Sequence, residues 1–263
     1  MFNSFLNEKS TNKLKDYCKD KSVLIVGNSL TLLGEKYGNL IDSYDVVVRI
    51  GKGVPYKELV SFLGNKTDCW VFSTFRSTSY VDFKNARFKI LNICQQSIYD
   101  EKDKDLTFKK LFFKKDFQIY RDYFLMGSLE DLDVMIKNTG LNNRLSQGIF
   151  CIQYFIETIK TYKKLDIIGF DFFESTVSYR IDEYDKDITI NSFHLPVLKN
   201  AKNPHYDLEK KEENGEKNYI LNLEKEGKIG IHKMTSYPSE ETLDLLFSKF
   251  RTTGTRINKT DIT

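Results

Sequence analysis

The sequence predicts an α/β domain built on a mostly parallel sheet flanked by helices, and three observations carry that prediction. Short apolar runs bounded by turn residues alternate with longer segments of helical period, the pattern of strands joined by crossovers. The apolar runs are continuous rather than alternating, which suits strands covered on both faces. The chain has 263 residues, 40% of them hydrophobic and 29% charged. That is enough to bury one substantial core in a single domain over 1–263.

The elements follow in order. Residues 5–19 carry a charged, weakly amphipathic pattern and read as an opening helix. SVLIVGNS (22–29) is the first strand, running into a Gly-Asn-Ser turn and a short helix near 30–38. DVVVRI (45–50) and TDCWVFS (67–73) are the second and third strands. Between them GVPYKELVSFLG reads as a helix ended by Gly64. FKILNIC (88–94) is a fourth strand. The stretch 99–126 mixes charge with aromatics; interleaved acids dilute any basic field, so it reads as surface helix with Phe and Tyr facing the core. SQGIFCIQYFIETIKTYKK (146–164) is a helix with Ile149, Ile152, Ile156 and Ile159 on one face, leading into the strand LDIIGFDFF. Residues 174–204 are polar and aperiodic, which suggests a lid. A charged helix over about 207–226 precedes the strand KIGIHKM. SEETLDLLFSKF forms a last helix capped by Ser239, and 252–263 reads as a flexible tail.

Several function classes are disfavoured. Forty Lys and Arg against 37 Asp and Glu give +3, too balanced for a dedicated nucleic-acid binder. No apolar run approaches the length of a spanning helix, and the N-terminus lacks a signal peptide's h-region, so a cytoplasmic protein is expected. Cys18, Cys69, Cys94 and Cys151 form no CxxC pair; Cys69 and Cys151 sit in apolar runs and are expected to be buried thiols. His194, His205 and His232 lack metal-ligand spacing, so no metal and no cofactor are expected.

In such a sheet, ligands bind beyond the carboxyl ends of the strands, near the switch in strand order. The residues there are Gly27, Asn28 and Ser29, then Arg49 to Gly51, Ser73, and Gly169 to Asp171. A dinucleotide site is disfavoured: VGNSLTLLG lacks the second glycine, and the second strand ends in Arg49 where an acid is wanted. The same absences count against a methyltransferase. There is no P-loop and no DxD pair behind a strand.

VLIVGNSLTLLGEKYGNLIDSYDVVVRI followed by LGNKTDCWVFS resembles the large sialyl motif of the animal sialyltransferases. RLSQGIFCIQYFIETIKTYKKLDIIGFDFF resembles their small motif, and PHYDLEKKEENGEKNYILNLEKEGKIGIHK the very small motif. The small-motif segment, with Ser178 and Tyr179 further on, is also similar to bacterial lipooligosaccharide sialyltransferases. The resemblance spans about residues 22–233 in order.

It implies a GT-A-like, Rossmann-related fold and a metal-independent, inverting transferase using a CMP-activated nonulosonic acid. One phosphate leaves, so N–H groups, hydroxyls and a cation can replace a metal. The acceptor hydroxyl needs a base near neutral pKa. His205 matches the animal catalytic histidine, with Glu209 orienting it and Glu212 a second choice for that acid; in the bacterial enzymes the base falls at Glu209 itself. Tyr179 and Tyr206 match tyrosines on the leaving phosphate. Gly27, Asn28, Ser29, Arg49, Ser73, Ser146, Gln147, Gly148 and Phe170 complete the implied donor site. Two departures stand out: Gly51 replaces the large motif's Asn, and Phe173 replaces a bacterial tyrosine.

The implied partners are a CMP-nonulosonate donor and a glycan acceptor, free, lipid-linked or lipooligosaccharide, as in capsule or lipooligosaccharide biosynthesis in bacteria. Sialic acid leads; Kdo, legionaminic and pseudaminic acid are alternatives, as is a non-catalytic nucleotide-binding scaffold. SEETLDLLFSKFR either packs on the domain or lies on a bilayer as a peripheral contact; packing is preferred.

Overall fold

The computed structural model of the protein describes residues 11–51, 59–72, 86–92, 123–126, 146–171, 178–182, 187–191, 215–234, 236–239 and 241–242. Helix α1 covers 11–18. The strands β1 (Ser22–Val26), β2 (Val46–Ile50), β3 (Cys69–Phe72), β4 (Phe88–Asn92), β5 (Tyr123–Met126), β6 (Lys164–Ile168) and β9 (Gly230–His232) form one sheet in the order β5-β4-β3-β2-β1-β6-β9. Every pairing in it is parallel. Strands β7 (Ser178–Asp182) and β8 (Asp187–Asn191) make a separate antiparallel pair.

Both faces of the sheet's central strands β1, β2, β3 and β6 are buried, which is why these are continuous apolar runs. One face packs Val23, Ile25, Val48 and Ile167 against α1, α4 (Gln147–Tyr154) and α5 (Gly215–Lys225). The other packs Leu24, Val26, Val47 and Ile168 against a 3-10 turn (Leu30–Leu33), α2 (Gly38–Asp42) and α3 (Val60–Leu63). Cys69 and Cys151 are buried free thiols as expected, and Cys18 joins them. Among the described residues no helix is long and apolar enough to cross a membrane.

Four expectations need correction. Tyr123–Met126, placed within surface helix, is the parallel edge strand β5, paired with β4. Its four residues are too short to show through the charge around them. The segment 174–204 is not without regular structure: β7 and β8 pair Tyr179 with Ile190 and Ile181 with Ile188, a period of two masked by polar alternate positions. The helix near 30–38 divides into the 3-10 turn, capped by the Ser29 hydroxyl, and α2. The helix over 146–164 is α-helical only to Tyr154; a π turn (Phe155–Ile159) follows and ends at Lys160 in the left-handed region.

Candidate active site

The strand order reverses at β1, which has β2 on one side and β6 on the other. Each neighbour leaves β1 on a different crossover, and the loops beyond their carboxyl ends diverge. Gly27 and Gly169 follow β1 and β6 and lie back to back. The Gly27 amide donates to Ile168 O at 2.8 Å and the Ser29 amide to Gly169 O at 3.0 Å. A Cβ on Gly27 would lie 2.2 Å from Gly169 O, so only glycine permits this approach.

Asn28 projects from that junction. Its Nδ2 donates to Ile50 O at 3.1 Å, which fixes the amide across to β2. Its Oδ1 is buried and has no hydrogen-bond partner among the described residues, an acceptor suited to a ligand N–H or O–H. Gly51, at φ +58, is beside it: a Cβ there would be 4.0 Å from Asn28 Nδ2 and 3.5 Å from Gln147 Oε1. Gln147 Nε2 in turn donates to Val71 O at 3.1 Å. Asn28, Gly51 and Gln147 therefore converge from three strand or helix ends.

Gln147 opens α4. Ser146 is its N-cap, with the hydroxyl accepting from the Ile149 amide at 3.3 Å. The amides of Gln147 and Gly148 fall in the first turn, where the helix has no carbonyls for them and the dipole favours an anion. Gly148 faces Phe170: a Cβ would come 2.7 Å from the ring, so the bare backbone lets Phe170 lie against the helix start.

The residue that sequence reasoning missed is Glu216, in the first turn of α5. It is 6% exposed, and its Oε1 accepts the Ser146 amide at 2.6 Å. Burial pushes its carboxyl up to about 7, while the hydrogen bonds from Ser146 pull the other way. A signal was present: Glu216, Ile220 and Leu223 share one helical stripe, all three buried, so an acid occupies an apolar position.

Arg49 and Ser29 both hydrogen-bond within the protein. Alternation along β2 turns Arg49 to the α3 face, where it is 0% exposed. Its Nε donates to Lys66 O and Thr67 Oγ1, both at 3.0 Å, and Nη2 to Leu63 O at 2.7 Å. These bonds anchor the loop after α3. The Ser29 hydroxyl, 4% exposed, bonds the Thr31 amide and hydroxyl as a cap. Tyr179 lies on β7. Ser73, Phe173, His194, His205, Tyr206, Glu209, Glu212 and Cys94 lie outside the described residues, as does 252–263.

A second polar cluster lies on the α2 and α3 face. Tyr44 O–H donates to Asp166 Oδ2, which also pairs with Lys164 at 2.9 Å. The Tyr44 oxygen is 2.6 Å from His232 Nε2. Since Tyr44 has one proton and gives it to the carboxylate, His232 must donate from Nε2, which sets its neutral tautomer. Burial lowers the His232 pKa, with Lys164 adding to the effect and Asp166 opposing it. This cluster fastens β9 to the sheet. No group of three or more His, Cys, Asp or Glu side chains among the described residues is arranged to hold a metal.

The sequence model of glycosyltransferase family 29 (sialyltransferase) matches residues 2–178. No curated protein matches the chain. Among solved structures, a mammalian sialyltransferase in complex with Gal-β-1-3GalNAc-ortho-nitrophenol is similar at 17% identity and a TM-score of 0.50, with 88% of this chain and 80% of that one covered. The sialyltransferase CstII from Campylobacter jejuni, in complex with the substrate analogue cytidine-5'-monophosphate, is similar at 17% identity and a TM-score of 0.44. That alignment covers 88% of this chain and 99% of that one. The GT-A-like sheet with flanking helices is the fold that the likeness to the mammalian enzyme shows.

Proposed function

The chain belongs to glycosyltransferase family 29, the sialyltransferase family, and on that premise we propose that it moves a sialic acid or related nonulosonic acid from CMP to a glycan hydroxyl, with inversion and without a metal. The observation that carries the donor assignment is the convergence of Asn28, Gln147 and the start of α4 at the strand-order switch. Asn28 Oδ1 supplies an acceptor for the nucleotide, and the Gln147 and Gly148 amides suit one phosphate. Helix dipole and amides provide charge stabilisation where a diphosphate would call for a cation.

In the transfer, the acceptor oxygen forms a bond to the sugar's anomeric carbon as the bond to the phosphate oxygen breaks. CMP leaves with that electron pair. His205 takes the hydroxyl proton, with Glu209 as its orienting acid. Tyr206 and Tyr179 are proposed as phenolic donors to the departing phosphate, and Ser73 as a further donor-binding residue. The acceptor is a galactoside-type glycan, and the donor segment 174–204 acts as the lid.

Melting curves with CMP, NAD and S-adenosylmethionine test the donor site. CMP alone should raise Tm, by mass action on the folded state, and Asn28→Ala should weaken the rise. A CMP-release assay over several CMP-nonulosonates, with and without acceptor and EDTA, tests the reaction. Loss in chelator restored by manganese would overturn the metal-free mechanism.

A further inference from the structure

The end of the sheet opposite the candidate site is laced into one cationic surface. The turn after α1 and the turn before β6 bond to each other: the Asp20 amide donates to Thr161 O at 2.9 Å and the Lys163 amide to Lys21 O at 2.8 Å. Thr161 Oγ1 also donates to Lys15 O at 2.7 Å. Asp20 and Lys160, at φ 58 and 56, hold the two turns in left-handed conformations without glycine. These two turns and α1 carry Lys13, Lys15, Lys19, Lys21, Lys160, Lys163 and Lys164.

Cations from separate elements gather here. Lys21 Nζ sits 3.8 Å from the Tyr17 ring centroid, and the Arg87 guanidinium, from the start of β4, sits 4.5 Å from the same ring. The carboxylates of this end are mostly engaged. Asp68 accepts from Tyr17 O–H and the Val47 amide, Asp45 from Ser22, and Glu157 pairs with Lys160. Lys164 is taken by Asp166. Among the described residues, Lys13, Lys15, Lys19, Lys21, Lys163 and Arg87 have no carboxylate ion pair, and Asp16, Asp20, Asp42 and Asp45, none of them ion-paired either, offset them only in part.

We propose that this end of the sheet rests on an anionic lipid surface. Like charges held together this way repel unless an anion is shared among them, and a bilayer of acidic headgroups neutralises several at once. A single nucleic-acid strand is a poorer fit, because stacking needs a free aromatic face and the Tyr17 ring is covered by Lys21 and Arg87. Binding here leaves the carboxyl ends of β1 and β6 pointing away from the surface, so donor and acceptor entry stay open.

The test is flotation of the full chain with phosphatidylcholine vesicles, with and without phosphatidylglycerol. Binding is expected only to the anionic vesicles and should fall as salt shortens the screening length. Each lysine near such a surface contributes about fivefold, so Lys19→Gln with Lys163→Gln should weaken binding by roughly 25-fold. Lys36→Gln with Lys233→Gln, after the carboxyl ends of β1 and β9, should leave it unchanged, and Tm should be the same in both pairs. Equal binding to neutral vesicles, no binding at low salt, or equal losses in the two pairs would overturn the proposal. So would binding to poly-U with none to vesicles. CMP release with a soluble acceptor reads the catalytic assignment separately and should be unchanged in both pairs.

Discussion

The Glu216 carboxylate and the Ser146 amide meet at 2.6 Å, so the first turn of α5 caps the first turn of α4. The acid sits where a bound phosphate would also be drawn, and its protonation therefore matters. Its folded pKa is about 7 against an ordinary 4.5. Below 4.5 both folded and unfolded chains hold the proton. As pH rises from there to 7, the unfolded chain releases it first, so this group's contribution to stability falls and then levels off. The loss is on the order of a few kcal/mol. Glu216→Gln keeps the acceptor and should remove the decline, making the variant the more stable at pH 8. Urea unfolding of both proteins from pH 5 to 8 measures the difference; parallel curves would contradict the assignment.

Two glycines near Asn28 should respond in opposite ways to a side chain. Gly27→Ala drives a methyl into Gly169 O and should cost about 1–3 kcal/mol, with loss of the CMP-induced Tm shift. Gly51→Asn restores the residue type that the large motif carries. Its Cβ has ordinary contacts, and Asn accepts the left-handed region better than other residues. Stability should change little and CMP affinity should rise. Gly51→Val is the control, expected to be unstable because a branched Cβ resists φ +58.

His205 is the proposed base, and chemistry can be separated from binding. His205→Ala should lower kcat by roughly 10²–10⁴-fold with CMP affinity nearly unchanged. Glu209→Gln should lose less. The reverse ranking would make Glu209 the base. Hydrolysis of the donor without acceptor should fall less than transfer in the His205 variant.

Tyr44→Phe removes the one hydroxyl that serves both Asp166 and His232. The His232 N–H is then left without its acceptor, at a cost of about 1–3 kcal/mol. Amide exchange should accelerate at Gly230–His232, while β2 and β3 keep their protection. Uniform acceleration across the sheet would mean that the cluster supports the whole fold rather than its edge.

What could be read in the sequence divides along physical lines. β1, β2, β3 and β6 are buried on both faces, so Val23–Val26 or Val46–Val48 announce themselves as unbroken apolar runs. Gly27, Asn28 and Ser146 were legible because turn and cap chemistry demand particular residue types. β5 was hidden because Tyr123–Met126 follows a run of alternating charge and aromatics. The bonds from Arg49 to the loop after α3 were not legible, because a strand's end does not reveal which face its last side chains take. Glu216 was passed over because a charged residue in a charged helix looks solvated until its stripe is traced through Ile220 and Leu223.

The place of β1 in the sheet also bears on how the chain is made. Ser22 pairs with Lys164 along β1 and β6, about 140 residues later. At a synthesis rate of about 5–20 residues per second, β1 waits on the order of ten seconds for one of its two partners. Throughout that interval a strand whose Val23–Val26 are all buried in the finished sheet presents an open edge. The nascent chain is therefore most exposed to aggregation, and to chaperones, through SVLIV. The Gly27–Gly169 junction closes only when β6 docks, so a nucleotide bound at the proposed site would assist only the last stage of folding.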